Sequence, residues 1–248
     1  MSTSEMERRQ VSSFEGNESP HARSSAFIPM DREIWQSPDG TCRVAEKPGP
    51  PKEKTGDHTE HSEFLELNTS DETHGPGEYC NPLEELPTDA VAIKEALLDQ
   101  GDGTTAEDDI GTLVERLNNT VYTKQPVQPA SQAGILRLLA EYPEVRFAGR
   151  TEDRLGRSGM LFQAESDGEA KDRPPFQYRL MFDAETARPL YYEAVQTGEL
   201  SEEKKKELED SGVHPPEDLE KYGLELPLLQ SYTHYMAAQW VPDLETRP

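Results

Sequence analysis

A chain of 248 residues with 49 acidic and 25 basic side chains carries a formal charge of −24, and only 33% of it is hydrophobic. That balance excludes non-specific nucleic-acid binding, which needs cations to displace the counterions of phosphate, and it makes anionic membrane surfaces repellent. A mean hydropathy of −0.85 cannot offset chain entropy everywhere, so the composition predicts a packed domain with loose flanks.

Residues 1–26 read as a polar, disordered leader. They contain no apolar h-region followed by a small-residue cleavage site, and no later stretch is apolar for long enough to cross a bilayer. As written, the chain is expected to be cytoplasmic or to have lost an anchor. Residues 27–248 read as a single domain. In FIPMDREIWQSPDGTCRV, Ile34 and Trp35 lead into the turn residues Ser37, Pro38, Asp39 and Gly40, which predicts a β-hairpin. Residues 45–62 and 68–82 are expected to be polar loops, with Phe64, Leu65 and Leu67 as a short strand between them. Cys42 and Cys80 are too few for a disulfide framework. A bridge is conceivable in an exported chain, but weakly ordered surroundings favour two free thiols.

Helical signals follow. Thr88 or Asp89 can cap a helix carrying Val91, Ile93, Ala96, Leu97 and Leu98. An acidic turn ending at Asp109 precedes Ile110, Leu113, Val114 and Leu117. A Pro-containing link then opens a third helix bearing Ile135, Leu136, Leu138, Leu139 and Tyr142, which Pro143 ends. Strands come next: Val145, Phe147 and Gly149 alternate onto one face, and 160–164, 177–182 and 190–195 follow, separated by turns. Residues 200–222 begin as a charged helical excursion, and SYTHYMAAQWV (231–241) is β-favouring and aromatic.

Chemistry-bearing clusters are few. His58 and His61, with His74 and Cys80 near in sequence, offer metal-ligand atoms but match neither a zinc finger nor HExxH, so solvated loop histidines are expected and no metal. Glu152, Asp153 and Asp183 sit at strand turns, where Asx hydrogen bonding accounts for them. Ser158 in Gly156-Arg-Ser-Gly159 is one residue short of a nucleophile elbow and lacks a following helix. Lys204, Lys205 and Lys206 fit pairing with Glu on a solvated helix. Asn68-Thr-Ser70 and Asn118-Asn-Thr120 match the glycosylation pattern by chance in a chain without an export signal. Trp35, Trp240, Tyr232 and Tyr235 read as core or sheet aromatics. No catalytic residue, cofactor or metal is assigned, and no ligand-binding residue can be named.

The ordered pieces REIWQSPDGTCRV (32–44), LPTDAVAIKEALLDQ (86–100), ILRLLAEYPEVRFAGRTEDRLGRSGMLF (135–162), LMFDAETARPLYYEAV (180–195) and SYTHYMAAQWVPDLETRP (231–248) resemble the extracytoplasmic part of an actinobacterial family of uncharacterised membrane-anchored proteins. The resemblance implies an extracytoplasmic setting for relatives and no activity, cofactor or catalytic residue. Its members place a cytosolic segment and one transmembrane helix before this region, which this sequence does not show. The Trp-bearing hairpin and the Asp-x-x-Thr turns are similar to the lipoprotein-carrier half-barrel, where a curved antiparallel sheet packs on helices.

The expected fold is therefore α+β, an antiparallel sheet of half-barrel type on about three helices from 86 to 142. The expected function is a non-enzymatic binding or sensing module whose sheet takes an apolar ligand or a protein partner segment. A soluble hydrolase using acidic residues and a truncated remnant without activity are the alternatives. Crowding of Phe147, Phe162, Tyr178 and Tyr191 against the helices without a cavity would count against binding.

Overall fold

The computed structural model describes residues 2–13, 22–56, 68–80, 85–99, 109–167, 173–212 and 219–237. It is an α+β fold with antiparallel strands and four α-helices. The strands are β1 (Ser2–Ser13), β2 (Ala22–Gln36), β3 (Cys42–Pro48), β4 (Lys52–Gly56), β5 (Ser70–His74), β6 (Val145–Glu152), β7 (Ser158–Ser166), β8 (Phe176–Phe182), β9 (Pro189–Gln196) and β10 (Leu228–Ala237). Five of them form the run β10-β9-β8-β7-β6 and three form β2-β3-β5; β1 pairs with both β10 and β2, and β4 pairs with β2. The path ends at β5 and β6, so the sheet is not closed into a barrel.

The helices form where caps and apolar spacing predict. In α1 (Ala90–Leu98) the Asp89 carboxylate accepts from the Val91 and Ala92 amides, and Ile93, Leu97 and Leu98 are buried. In α2 (Ile110–Arg116) Asp109 accepts from Gly111 and Thr112, and the helix runs into a π-helical turn, Leu117–Tyr122. Proline opens α3 (Pro129–Leu139), where its missing amide costs nothing. These three pack on the five-stranded run in one core: Ile93, Leu113, Leu117, Ile135 and Leu138 meet Ala164, Tyr178, Leu180, Phe182, Tyr192, Ala194 and Tyr235.

Alternation along each strand follows from that packing. Tyr178, Leu180 and Phe182 face the helices, so Gln177, Arg179 and Met181 face away; Tyr192 and Ala194 face the helices, so Tyr191 and Glu193 face away. The expected single face for Val145, Phe147 and Gly149 is interrupted. A register shift between Phe147 and Gly149 sets Phe147 opposite Phe162 and Gly149 opposite Leu161, and the φ of 102° at Gly149 is the bulge geometry that makes the switch.

Four stretches carry structure that the hydrophobic pattern does not mark. The stretch read as a disordered leader supplies β1 and the start of β2, which pair residue by residue from Ser2↔Glu33 to Ser13↔Ala22. Its main chain pairs along the whole ladder, and such pairing needs no hydrophobic signature in the sequence. The two polar loops contain β4 and β5, and β5 has no buried side chain; an edge strand wetted on its outer side needs no alternation. Cys42 and Cys80 are not free thiols but a disulfide with Cα atoms 6.2 Å apart, packed with Ile34 and Val44. Finally, the charged excursion is tied down. Its helix α4 (Glu202–Asp210) buries Leu208, and the 3-10 turn Leu219–Tyr222 joins Leu224 and Leu228 in a small apolar cluster. The candidate strand at Phe64, Leu65 and Leu67 lies outside the described residues, as do His58, His61 and Trp240.

Candidate functional site

The helix-covered face of the sheet is filled by its own side chains, and its polar groups are structural. Arg173 donates to Glu115 at 2.6 Å, the Tyr178 hydroxyl donates to the same carboxylate at 2.8 Å, and Ser166 donates to Asp109 at 3.0 Å. This net fastens α2 to β7 and β8. Burial would raise the Asp109 carboxyl, but hydrogen bonds from Thr112 and Gly111 hold it below its ordinary value. Burial, then the Glu115 charge, pushes Tyr178 far up.

The opposite face gathers the remaining chemistry around Glu193, whose side chain is only 4% exposed. Both carboxylate oxygens are occupied. Arg179 Nη1 donates to Oε1 at 2.8 Å, Arg154 Nη2 donates to Oε2 at 3.0 Å, and the Tyr191 hydroxyl donates to Oε2. Arg154 Nε also donates to the Tyr191 oxygen at 2.9 Å, and its guanidinium lies 5.0 Å over the Tyr232 ring. A buried carboxylate is tolerable when two cations and a phenol satisfy it. Burial first, and then the bond to Glu193 and its charge, raise the Tyr191 phenol well above its ordinary range, so the phenol stays protonated near neutral pH.

The β6–β7 turn brings Arg154 there. Asp153 accepts from the Leu155 and Arg157 amides, each at 2.9 Å, and from Arg157 Nε at 2.7 Å. Arg157 then reaches the carbonyls of Leu190 at 2.6 Å and Tyr235 at 2.7 Å. The turn is thus latched onto β9 and β10. His234 is buried beside it, its Nδ1 3.7 Å from Asp153, too far for a hydrogen bond and without a hydrogen-bond partner among the described residues. Burial holds the imidazole below its ordinary 6.5; the Asp153 charge opposes this, and Arg157 and Arg154 reinforce it.

The residues singled out in the sequence fall apart spatially. Asp183 makes the expected turn bonds to Glu185 and Thr186. Asp153 makes its turn bonds too but also enters the latch. Glu152 and Ser158 pair across the hairpin and are exposed. Lys204 and Lys205 pair with Glu207 and Glu202. The Cys80 sulfur is in the bridge and the His74 ring stacks on Tyr79 at 4.8 Å. Trp35 is buried, with Arg43 over its ring. Tyr235 is in the core, but Tyr232 is on the face turned away from the helices. Of the four aromatics that tested the binding expectation, Phe162 and Tyr178 pack with the helices, Phe147 is exposed, and Tyr191 faces away.

Sequence reasoning missed Arg154, Arg179, Tyr191, Glu193 and His234 as a group. The signal was the two-residue period: FQYRLMF, LYYEAV and SYTHYM each alternate core residues with Arg179, Tyr191 and Glu193, or Tyr232 and His234.

Chemically the cluster holds charges still. Among the described residues, Glu193 has both carboxylate oxygens engaged by Arg179, Arg154 and Tyr191. No family model matches the chain, and neither does a curated protein or a solved structure. Among the described residues, no group of three His, Cys, Asp or Glu side chains could hold a metal ion.

Proposed function

We propose that this chain is a non-enzymatic binding module that uses the sheet face turned away from the helices. The observation that carries the reading is the contrast between the two faces. One is packed solid by α1, α2 and α3, and the other presents Arg154, Arg179 and Tyr232 at a rigid, half-exposed surface backed by a fully satisfied Glu193. Side chains whose geometry is fixed in advance lose little entropy on capturing a ligand.

Two measurements test this. Chromogenic ester, amide, glycoside and phosphate substrates should give no turnover above buffer, and turnover lost in His234→Gln would replace binding by catalysis. In a thermal-shift screen of small molecules and peptides, stabilising ligands should act on the native chain and on Val91→Lys, changed on the helix side, but not on Arg179→Gln. Equal stabilisation of all three would remove the free face from the reading.

The Cys42–Cys80 bridge supports work in an oxidising compartment, where such links persist, in place of a cytoplasmic one. Among the described residues no helix is long and apolar enough to cross a membrane. Alkylation of chain taken rapidly from its host should find both cysteines blocked; free thiols would place it in the reducing cytosol.

A further inference from the structure

We propose that a polar row crossing β6 to β10 on the free face is a docking strip for an acidic, extended segment of a partner protein. The proposal rests on the binding reading above and names its partner. The register defines the row: Arg146 lies opposite Gln163, Gln163 opposite Arg179, Arg179 opposite Glu193, and Glu193 opposite Tyr232. Directly opposed residues share a face, so these five side chains stand in line across five strands. Arg154 arrives from the β6–β7 turn and lies over the far end at Tyr232.

Charge selects the occupant. The chain as a whole carries about two acids per base, yet among the described residues the β6–β10 part of this face sets Arg146, Arg154, Arg157 and Arg179 against Glu165, Glu193 and Asp153. Glu193 and Asp153 are buried, while the side chains of Arg146, Arg154 and Arg179 are 58%, 49% and 39% exposed. Two of the three acids therefore lie inside, Glu165 stands exposed beside Arg146, and the arginines' outer edges meet solvent. A guanidinium has five donors in a planar fork, and Arg179 and Arg154 each commit only part of theirs to Glu193, Gln177 and Tyr191. Arg146 and Arg179 stand two strand spacings apart, roughly 10 Å, a span that carboxylates two to three residues apart on an extended chain can bridge. A second copy of this strongly acidic chain is disfavoured by overall repulsion.

The test uses the full chain and an end-blocked hexaglutamate peptide, with citrate as a small carboxylate probe. The arginine Nε–H NMR signals of Arg146, Arg154 and Arg179 should shift with the peptide, and the shift should weaken with salt. Each of Arg146→Gln and Arg179→Gln should weaken peptide binding about fivefold, the effect of one exposed ion pair. Arg188→Gln, in an exposed turn, should leave it unchanged. Arg146→Gln removes only a 3.6 Å surface contact to Glu165, so its result stands even if Arg179→Gln is unstable. The proposal is overturned if millimolar peptide moves none of these signals, if citrate at equal carboxylate concentration matches the peptide, or if the only association is of the chain with itself and is lost in Arg146→Gln. A silent strip beside a ligand that fails on Arg179→Gln in the thermal screen would sink this partner and leave the binding reading standing.

Discussion

Breaking the Cys42–Cys80 bridge should loosen one edge of the sheet while sparing the rest. The bond joins β3 to the turn after β5 across a sequence separation of 38. Chain-entropy arguments give a loop of that size a stabilisation of about 4 kcal/mol. Two weaker ties also join this segment to β3. The backbone ladder of β5 to β3 runs over five residue pairs, and Arg43 pairs with Asp71 at 2.7 Å and 2.8 Å, an exposed contact worth about 0–1 kcal/mol. Reduction, or the double change Cys42→Ala with Cys80→Ala, should therefore release β5 as a local unit. Hydrogen exchange followed by mass spectrometry reads this directly. Opening at 70–80, and at the β3 amides paired to them, should rise by roughly a thousandfold, the equivalent of about 4 kcal/mol. Peptides covering β8 and β9 should hold their protection. Unchanged exchange in β5 with both thiols demonstrably free would refute the reasoning. An equal loss in β8 would refute the local version of it and make the bridge a clamp on the whole sheet.

Three further outcomes are expected. Gly134→Ala should destabilise by about 2 kcal/mol in urea unfolding despite the better helix former, because a Cβ there would lie 2.5 Å from the Thr88 carbonyl oxygen and 2.5 Å from Ile93 Cδ1; a gain in stability would show that α1 and α3 are not in this contact. Glu193→Gln should cost about 1–2 kcal/mol rather than the 3–5 typical of a fully buried pair, since the stranded guanidinium groups are partly exposed and can rehydrate; a loss beyond 4 kcal/mol would mean that they cannot. His234, with a folded-state value below its unfolded 6.5, binds protons more readily unfolded, so stability should be full above that pH and fall as pH drops through it toward the folded value; equal slopes for the native chain and His234→Gln in that window would remove His234 as the cause. The lowered Asp153 carboxyl adds a separate loss in stronger acid, present above its unfolded value and gone as pH falls through the folded one.

Legibility in the sequence followed the hydrophobic period. The three helices and β6 to β9 could be read because Leu, Ile and Tyr at 3.6 or 2 residue spacing mark a buried side, and Asp89 and Asp109 cap where capping chemistry predicts. Residues 2–13, 52–56 and 70–74 could not, because their sequences carry no apolar alternation; β5 lies at the sheet edge, where polar side chains cost nothing, whereas β1 is paired on both sides, with β2 and β10. The cross-link escaped for a related reason: Cys42 and Cys80 are brought together by β3–β5 pairing, and β5 carries no apolar mark. The polar cluster was half visible. Alternation separates Arg179, Tyr191, Glu193 and His234 from the core side, but only the register puts Arg179 beside Glu193, and only the folded turn brings Arg154 in from 39 positions away.

That turn also bears on the proposed binding role. A general acid or base must exchange a proton while holding its geometry, and Glu193 has each oxygen engaged by a guanidinium. Tyr191 is pushed toward keeping its proton. The phenol therefore keeps its proton across the neutral range, which suits the fixed polar surface of the proposed binding role. His234 is buried beside the latch, where burial disfavours its charge, Asp153 favours it, and Arg157 and Arg154 oppose it. Protonating it would strain the attachment of the β6–β7 turn, which carries Arg154 to the strip. Ligand affinity on this face should therefore fall together with stability below the ordinary histidine range, and the fall should vanish in His234→Gln.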